Sequence, residues 1–80
     1  MTIHVLFFSI LRDETGCAEM TWPDAPPTLA ELLEQMYARW PKLRAWDKSL
    51  LLAVDRTYAR RDAALHDGCE VAVMPPVQGG

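Results

Sequence analysis

Residues 28–41 read TLAELLEQMYARWP, and this stretch carries the clearest structural signal in the chain. Thr28 and Glu31 form a capping box, a pairing in which each side chain accepts a hydrogen bond from the other residue's backbone N–H. Pro41 cannot continue a helix, so the pattern ends there. The stretch therefore predicts one amphipathic helix that buries a single apolar stripe. The residues of that stripe are Leu29, Leu32, Leu33, Met36, Tyr37 and Trp40.

The segment before this helix is predicted to form a β-hairpin. Residues 3–11 alternate like a strand, so that successive side chains face opposite sides. Residues 12–16 are polar and end in glycine, which favours a hairpin turn, and residues 17–22 return as a second strand. We expect one set of side chains to face the core and the other to face outward: Ile3, Val5 and Phe7 inward, and His4, Leu6 and Phe8 outward.

The segment after the helix is predicted to return to the sheet. Residues 41–49 are interpreted as a loop, with Trp46 packed against the core. Residues 50–54 form a short continuous apolar run, which is typical of a buried strand. Asp55 and Arg56 then turn the chain into a short partner strand that runs through Tyr58.

A last strand is predicted over residues 69–74, after a turn at Asp67 and Gly68. Val71 and Val73 lie on one face of this strand. The order of hairpin, helix and strands predicts an α+β domain in which one main helix packs across a mixed sheet. We expect the domain to span residues 1–74 and residues 75–80 to form an extended, flexible tail, because two prolines cannot continue the sheet ladder.

Composition excludes several classes of protein. The 80 residues are half hydrophobic and 24% charged, which is a globular composition sufficient for one domain. The longest nearly unbroken apolar run, residues 5–11, is far short of the about 20 residues that a membrane helix needs. Residues 1–5 lack a basic region typical of a signal peptide. We therefore expect a cytoplasmic protein without a membrane partner.

The cysteines and histidines do not indicate a metal site or a disulfide framework. Cys17 and Cys69 lie far apart and form no C-x-x-C pair, so two free thiols are expected. His4 and His66 have no ligand spacing to each other or to the cysteines, so no metal is expected. Neither cysteine has a neighbouring His or Lys to activate it. No nucleophile elbow or phosphate-binding glycine loop is present, so the chain is not expected to be catalytic alone.

Basic residues are concentrated in the middle of the chain. Residues 39–61 hold seven bases and two acids, although the whole chain has a net charge of −3. Such a segment either faces an acidic partner or nucleic acid, or is solvated surface, the interpretation that we favour. Because the chain is acidic overall and lacks interleaved stacking aromatics, we expect no nucleic-acid partner. The seven bases are Arg39, Lys42, Arg44, Lys48, Arg56, Arg60 and Arg61.

The last six residues, PPVQGG, carry the functional signal. Two prolines stiffen the start of the tail, and Gly79 and Gly80 add no side chains, so the tail can enter a slot too narrow for a Cβ atom. Its reactive group is then the α-carboxylate of Gly80. A Gly-Gly ending alone is more typical of a frayed terminus. That alternative does not explain why an apolar strand runs directly into two prolines and then into glycine.

Three segments together resemble the molybdopterin synthase small subunit, a family of sulfur carriers. Residues 5–12, VLFFSILR, resemble the opening strand of the family, and residues 65–72, LHDGCEVA, resemble its turn into the last strand. The ending, with PPV and then GG, resembles the terminal motif, and the resemblance covers the whole chain. Two positions depart from the common pattern and are expected in turns: Asp55, where Asn is frequent, and Cys69, where an acid is usual.

The resemblance implies a β-grasp, ubiquitin-like fold and a mechanism. An E1-like adenylyltransferase would use ATP to adenylate the Gly80 carboxylate, and a sulfur donor would displace AMP to leave a thiocarboxylate. The tail would then enter the large synthase subunit, in an assembly of two small and two large subunits. There the sulfur would pass to cyclic pyranopterin monophosphate to form the dithiolene of molybdopterin. The chain itself would bind no cofactor.

Strand alternation also predicts a partner surface beside the tail. If Ile3, Val5 and Phe7 face the helix, then Leu6, Phe8 and Met74 face outward as an apolar patch. Alternatively, one of these residues caps the edge of the core. The predicted partner-binding residues are Leu6, Phe8, Met74, Pro75, Pro76 and Val77, with Gln78 and Gly79 threading the tail and Gly80 reacting.

Three other functions remain compatible with the sequence. A thiamine-type sulfur carrier shares the Gly-Gly terminus but usually lacks the preceding PPV. A ubiquitin-like modifier would instead join Gly80 to lysine side chains. A plain interaction module would have an inert tail.

Overall fold

The computed structural model describes residues 1–76, which fold into a five-stranded mixed sheet with helices on one side. The strand order is β2-β1-β5-β3-β4. The two central strands β1 and β5 are parallel, and every other neighbouring pair is antiparallel. The elements are β1 (Ile3–Phe7), α1 (Ile10–Thr15), β2 (Glu19–Trp22), α2 (Leu29–Arg39), a 3₁₀ helix (Pro41–Trp46), β3 (Leu51–Val54), β4 (Thr57–Tyr58) and β5 (Glu70–Met74).

Helix α2 confirms the prediction made from residues 28–41. The Glu31 backbone N–H donates to Thr28 Oγ1 at 3.4 Å, as the capping box requires. The Glu31 carboxylate accepts from the Thr28 hydroxyl at 3.1 Å and not from the backbone N–H of Thr28, so the reciprocal half of the predicted box is replaced by a bond between the side chains. The apolar stripe faces the sheet, and each buried side chain contributes about 1.5–3 kcal/mol through removal of apolar surface from water. Its fully covered members are Leu29, Leu32, Leu33, Met36 and Tyr37, whereas Trp40 is half-buried.

The connection between β1 and β2 corrects the hairpin prediction. Strand β1 ends at Phe7, and the chain turns at Ser9 into helix α1 instead of continuing as a strand to residue 11. In this helix the Leu11 side chain is completely buried in the core, and that burial favours the helix over a continued strand. Gly16, with φ of 80°, ends α1 as a left-handed cap and is not part of a hairpin turn.

The segment that follows α2 is also more regular than predicted. A 3₁₀ helix occupies Pro41–Trp46, where the sequence indicated a loop. Pro41 stands at its start, a position that needs no N–H donor, and Leu43 is buried beneath it. Trp46 packs against the core, as predicted.

The C-terminal strands lie where the sequence placed them. Strand β3 begins one residue later than predicted, and β5 carries buried Val71 and Val73 on its helix-facing side. Gly68 has φ of 80° in the preceding turn. Cys69 was expected in this turn. It follows the turn instead and is only 1% exposed, so it is a core residue. No helix among residues 1–76 is long and apolar enough to cross a membrane.

Candidate functional site

The tail begins at the end of the sheet where the two central parallel strands, β1 and β5, both terminate. Strand β5 ends at Met74 and continues into half-buried Pro75 and Pro76. The Phe8 backbone N–H, just after β1, donates to the Val73 carbonyl at 3.3 Å, which sets Phe8 beside the start of the tail. The predicted tail residues Val77, Gln78, Gly79 and Gly80 lie outside the described residues.

An apolar groove crosses the outer face of the sheet beside this end of the strands. Leu6 pairs with Ala72, Ala72 pairs with Ala53, and Ala53 pairs with Tyr58, so one row spans four strands. The two alanines form a low floor because their side chains are short, and larger side chains stand around them. We call this surface the outer-face groove; its lining residues are Leu6, Phe8, Ala53, Arg56, Tyr58, Glu70, Ala72 and Met74.

The three predicted patch residues all line the outer-face groove. Phe8 is 44% exposed, and Leu6 and Met74 are half-buried. Tyr58, at 75% exposed, is a fourth large side chain of this surface, and the patch predicted from the sequence did not include it. Its strand is only two residues long, so strand alternation gave no signal for its direction.

One end of the outer-face groove is charged. Arg56 Nε lies 3.9 Å from Glu70 Oε1, and the Arg56 side chain is 89% exposed. A pair this exposed adds little to stability. It supplies instead a polar rim beside an apolar floor, an arrangement typical of protein interfaces.

A second apolar surface includes Pro75 and Pro76, the first two residues of the tail. Ser9, Ile10, Trp46, Pro75 and Pro76 line a cleft between α1 and the 3₁₀ helix, which we call the tail-base cleft. Ile10 is 41% exposed. Sequence reasoning missed this cleft because it assigned Ile10 to a strand and Trp46 to a loop. A six-residue helix is too short to show a helical repeat in the sequence.

Asp55 closes the end of the sheet opposite the tail. Its Oδ1 accepts from the Glu70 backbone N–H at 2.9 Å, and its Oδ2 lies 2.7 Å from His66 Nε2. The hydrogen bond from Glu70, followed by that from His66, lowers the pKa of Asp55. The hydrogen bond to Asp55 in turn raises the pKa of His66. This departure from the family pattern thus anchors a turn far from the tail.

A second polar cluster joins α2 to the 3₁₀ helix. The Tyr37 hydroxyl donates to Asp47 Oδ1 at 2.5 Å, and Arg61 Nη1 donates to the same oxygen at 2.8 Å. Burial and the bond to Asp47 raise the pKa of Tyr37 to about 12. The bond from Tyr37, with that from Arg61, lowers the pKa of Asp47. The Asp47 and Arg61 side chains remain partly exposed, and the cluster links the end of the 3₁₀ helix to α2.

The basic segment 39–61 is divided among several local pairings. Arg39 stacks 4.7 Å from the centre of the Trp40 ring, and Arg44 bonds Glu34 at 3.1 Å. Arg56 and Arg61 pair with carboxylates as described above. These pairings favour the interpretation of the segment as solvated protein surface.

The cysteines and the potential metal ligands of residues 1–76 are not gathered into one cluster. Both cysteines are free thiols, and Cys69 is buried. Within residues 1–76, no three His, Cys, Asp or Glu side chains come together as a possible metal site.

The family comparison agrees with this geometry. The model of the ThiS family matches residues 5–80. The chain belongs to the ThiS family. One relative is the molybdopterin synthase sulfur carrier subunit of Escherichia coli (strain K12). The two sequences are 41% identical over 81 residues, and the alignment covers 98% of this chain and 99% of the relative. The resemblance inferred from the sequence is therefore confirmed.

Solved structures confirm the β-grasp, ubiquitin-like fold of this ThiS-family chain. Small archaeal modifier protein 1 from Methanosarcina acetivorans superposes with a TM-score of 0.84 at 21% identity, covering 99% of this chain and 96% of the other. A chain in the complex of subunits 1 and 2 of molybdopterin-converting factor from Helicobacter pylori 26695 gives a TM-score of 0.69 at 21% identity, with complete coverage of both chains. At these identities the likeness establishes the fold alone.

Proposed function

We propose that the chain is the sulfur carrier subunit of a molybdopterin synthase, acting through a thiocarboxylate on Gly80. The observation that carries this proposal is the full-length, 41% identical relative with that name. The tail base described above supports it, because Pro75 and Pro76 leave the sheet at an edge flanked by exposed apolar side chains.

The chemistry begins on the terminal carboxylate. A carboxylate oxygen of Gly80 attacks the α-phosphate of ATP, held by an E1-like adenylyltransferase, and pyrophosphate leaves. The acyl-adenylate then reacts with sulfide-level sulfur, hydrosulfide or its equivalent: a C–S bond forms, the C–O bond to AMP breaks, AMP carries away the electron pair, and loss of the S–H proton leaves the thiocarboxylate. Since this chemistry uses ATP and partner enzymes, we place the chain in the cytoplasm, with no cofactor of its own.

The charged carrier then docks on the large synthase subunit. Leu6, Phe8 and Met74 of the outer-face groove contact that subunit, while Pro75, Pro76 and Val77 direct the tail into its active site. Gln78 and Gly79 thread the slot, and Gly80 delivers sulfur to cyclic pyranopterin monophosphate. The assembly is two small and two large subunits. The complex of subunits 1 and 2 in the Helicobacter pylori structure supports a partner of this kind.

The test is the intact mass of the chain produced together with its adenylyltransferase. We expect one oxygen to be replaced by sulfur at the C-terminus, and the modified chain to produce molybdopterin with the large subunit. A variant lacking Gly80 is the control and should show neither result. Formation of molybdopterin by that variant would contradict the proposal.

The same experiment separates the other two tail functions. A thiamine-type carrier would pass its sulfur to a thiazole-forming partner and not to the synthase large subunit. A protein modifier would give isopeptide-linked adducts on lysine without free thiocarboxylate.

A further inference from the structure

We propose that the tail-base cleft is a second docking site for the large synthase subunit and takes one apolar side chain of that subunit. The inference rests on the proposed function and adds Ile10 and Trp46 to its contact surface. It thereby makes the interface two-sided, with the tail emerging between the outer-face groove and the cleft.

The reach of the tail brings the partner onto the cleft. Gly80 follows Pro76 by four residues. A fully extended chain covers at most about 3.6 Å per residue, so the reacting carboxylate lies within roughly 14 Å of Pro76. An enzyme that encloses this carboxylate must stand over the tail base. Because Pro75 and Pro76 themselves line the cleft, the enzyme also stands over Ile10 and Trp46.

The two apolar surfaces are joined by one turn of backbone. Phe8 lines the outer-face groove and Ile10 lines the tail-base cleft, and Ser9 between them has φ of 55° and ψ of −131°. Phe8 and Ile10 are 44% and 41% exposed, a similar fraction for both. A partner that contacts Phe8 beside the tail therefore also reaches Ile10, because only Ser9 lies between the two residues.

The lining of the cleft defines the occupant. Its five side chains are uncharged, and only Ser9 is polar. The Trp46 ring and two proline rings offer flat apolar walls, which suit a Leu, Met or Phe side chain and offer no counter-ion for a charged one. Apolar side chains seated in such pockets often dominate the affinity of an interface.

The experiment measures the Kd of the full chain for its large subunit. Ile10→Asp places an unpaired carboxylate in the cleft, and we expect the Kd to rise at least about tenfold. Ile10→Ser, a milder truncation, should raise it by roughly three- to tenfold. Thermal unfolding followed by circular dichroism establishes that both variants are folded.

Ala30→Asp is the matched control. Ala30 is exposed in the first turn of α2, whereas the tail edge lies near the other end of that helix, where the Phe7 and Trp40 rings are 5.5 Å apart. This variant adds the same charge away from the cleft, and its Kd should equal that of the unmodified chain.

Three results would overturn the inference. An Ile10→Asp chain that binds the large subunit as tightly as the Ala30→Asp chain excludes the cleft, while molybdopterin formation by the unmodified chain leaves the proposed function intact. A defect confined to thiocarboxylate formation assigns the cleft to the adenylyltransferase instead. An unmodified chain that neither forms the thiocarboxylate nor binds the large subunit removes the proposed function and the inference together.

Discussion

Ser9 holds a backbone conformation that side chains rarely adopt, with φ of 55° and ψ of −131°. Its hydroxyl makes no capping hydrogen bond to α1, so no such bond offsets the free-energy cost of this backbone conformation. Strain of this kind costs of order 1–3 kcal/mol, and glycine relieves it at the expense of a more flexible unfolded chain. We expect Ser9→Gly to raise the free energy of unfolding by about 1 kcal/mol, measured by urea denaturation.

The matched control for Ser9 is Ser49→Gly. Ser49 is also exposed but does not have a positive φ. Glycine there should leave stability unchanged or lower it slightly, since it relieves no strain and only loosens the unfolded chain. Equal effects of the two substitutions would show that the Ser9 turn is unstrained.

The Asp55–His66 pair gives stability a defined pH dependence. Because the folded pKa of His66 is raised, its contribution is full below its unfolded pKa of about 6.5 and is lost as the pH rises through the folded pKa. The pKa of Asp55 is lowered, so its contribution is full above its unfolded value and is lost as the pH falls through the folded pKa. We expect His66→Gln to remove the loss of thermal stability that accompanies a rise in pH above about 6.5.

Asp55→Asn provides the control for this pair. The amide oxygen still accepts from the Glu70 N–H, but the charge that favours protonated His66 is gone. The Asn variant should therefore remove most of the pH-dependent component that His66→Gln removes, because only the contact of His66 with the Asp67 carbonyl remains, and the double variant should match His66→Gln. Additive effects of the two changes would contradict a direct pairing.

At the scale of elements, the Tyr37–Asp47–Arg61 cluster fixes the 3₁₀ helix against α2. The Tyr37 hydroxyl is the donor that bridges the two elements. A hydrogen bond to a charged acceptor is worth about 1.5–3 kcal/mol, so Tyr37→Phe should lower the free energy of unfolding by about that amount. Tyr58→Phe removes an exposed hydroxyl and should have no effect in the same urea experiment. Equal changes in the free energy of unfolding for Tyr37→Phe and Tyr58→Phe would show that the cluster does not stabilise the fold.

The accuracy of sequence interpretation also differs from element to element. Helix α2 could be predicted because its cap and its apolar repeat are local features of one continuous stretch. Helix α1 could not, because a six-residue segment fits both periods and only the burial of Leu11 decides between them. The 3₁₀ helix is similar, since Leu43 finds its place only against a core assembled from other elements.

At the scale of the whole molecule, the sheet gathers distant residues around the tail base. Phe8 and Met74 come from opposite ends of the chain and meet because β1 and β5 are parallel neighbours. We expect Phe8→Asp to raise the Kd for the large subunit by about ten- to a hundredfold, since an exposed apolar anchor is replaced by a charge. The unfolding temperature should change little, because the Phe8 side chain is already 44% exposed.

Surface plasmon resonance with immobilised large subunit would provide this measurement, and Ala30→Asp again serves as the control. Tyr58→Asp, at the far side of the outer-face groove, should weaken binding less than Phe8→Asp because it is farther from the tail. A Phe8→Asp chain with unchanged affinity would exclude the groove from the interface.

The sequence by itself determined the α+β class, helix α2, the inward and outward faces of β1 and β5, and the family. These features depend on the order and period of neighbouring residues, which a linear chain displays directly. Only the tertiary structure decided that Ala53, Ala72 and Tyr58 complete one groove with Leu6, and that Ile10 meets Trp46 beside the tail. Those surfaces depend on strand register and on packing between segments that are far apart in the chain, and no local pattern encodes either one.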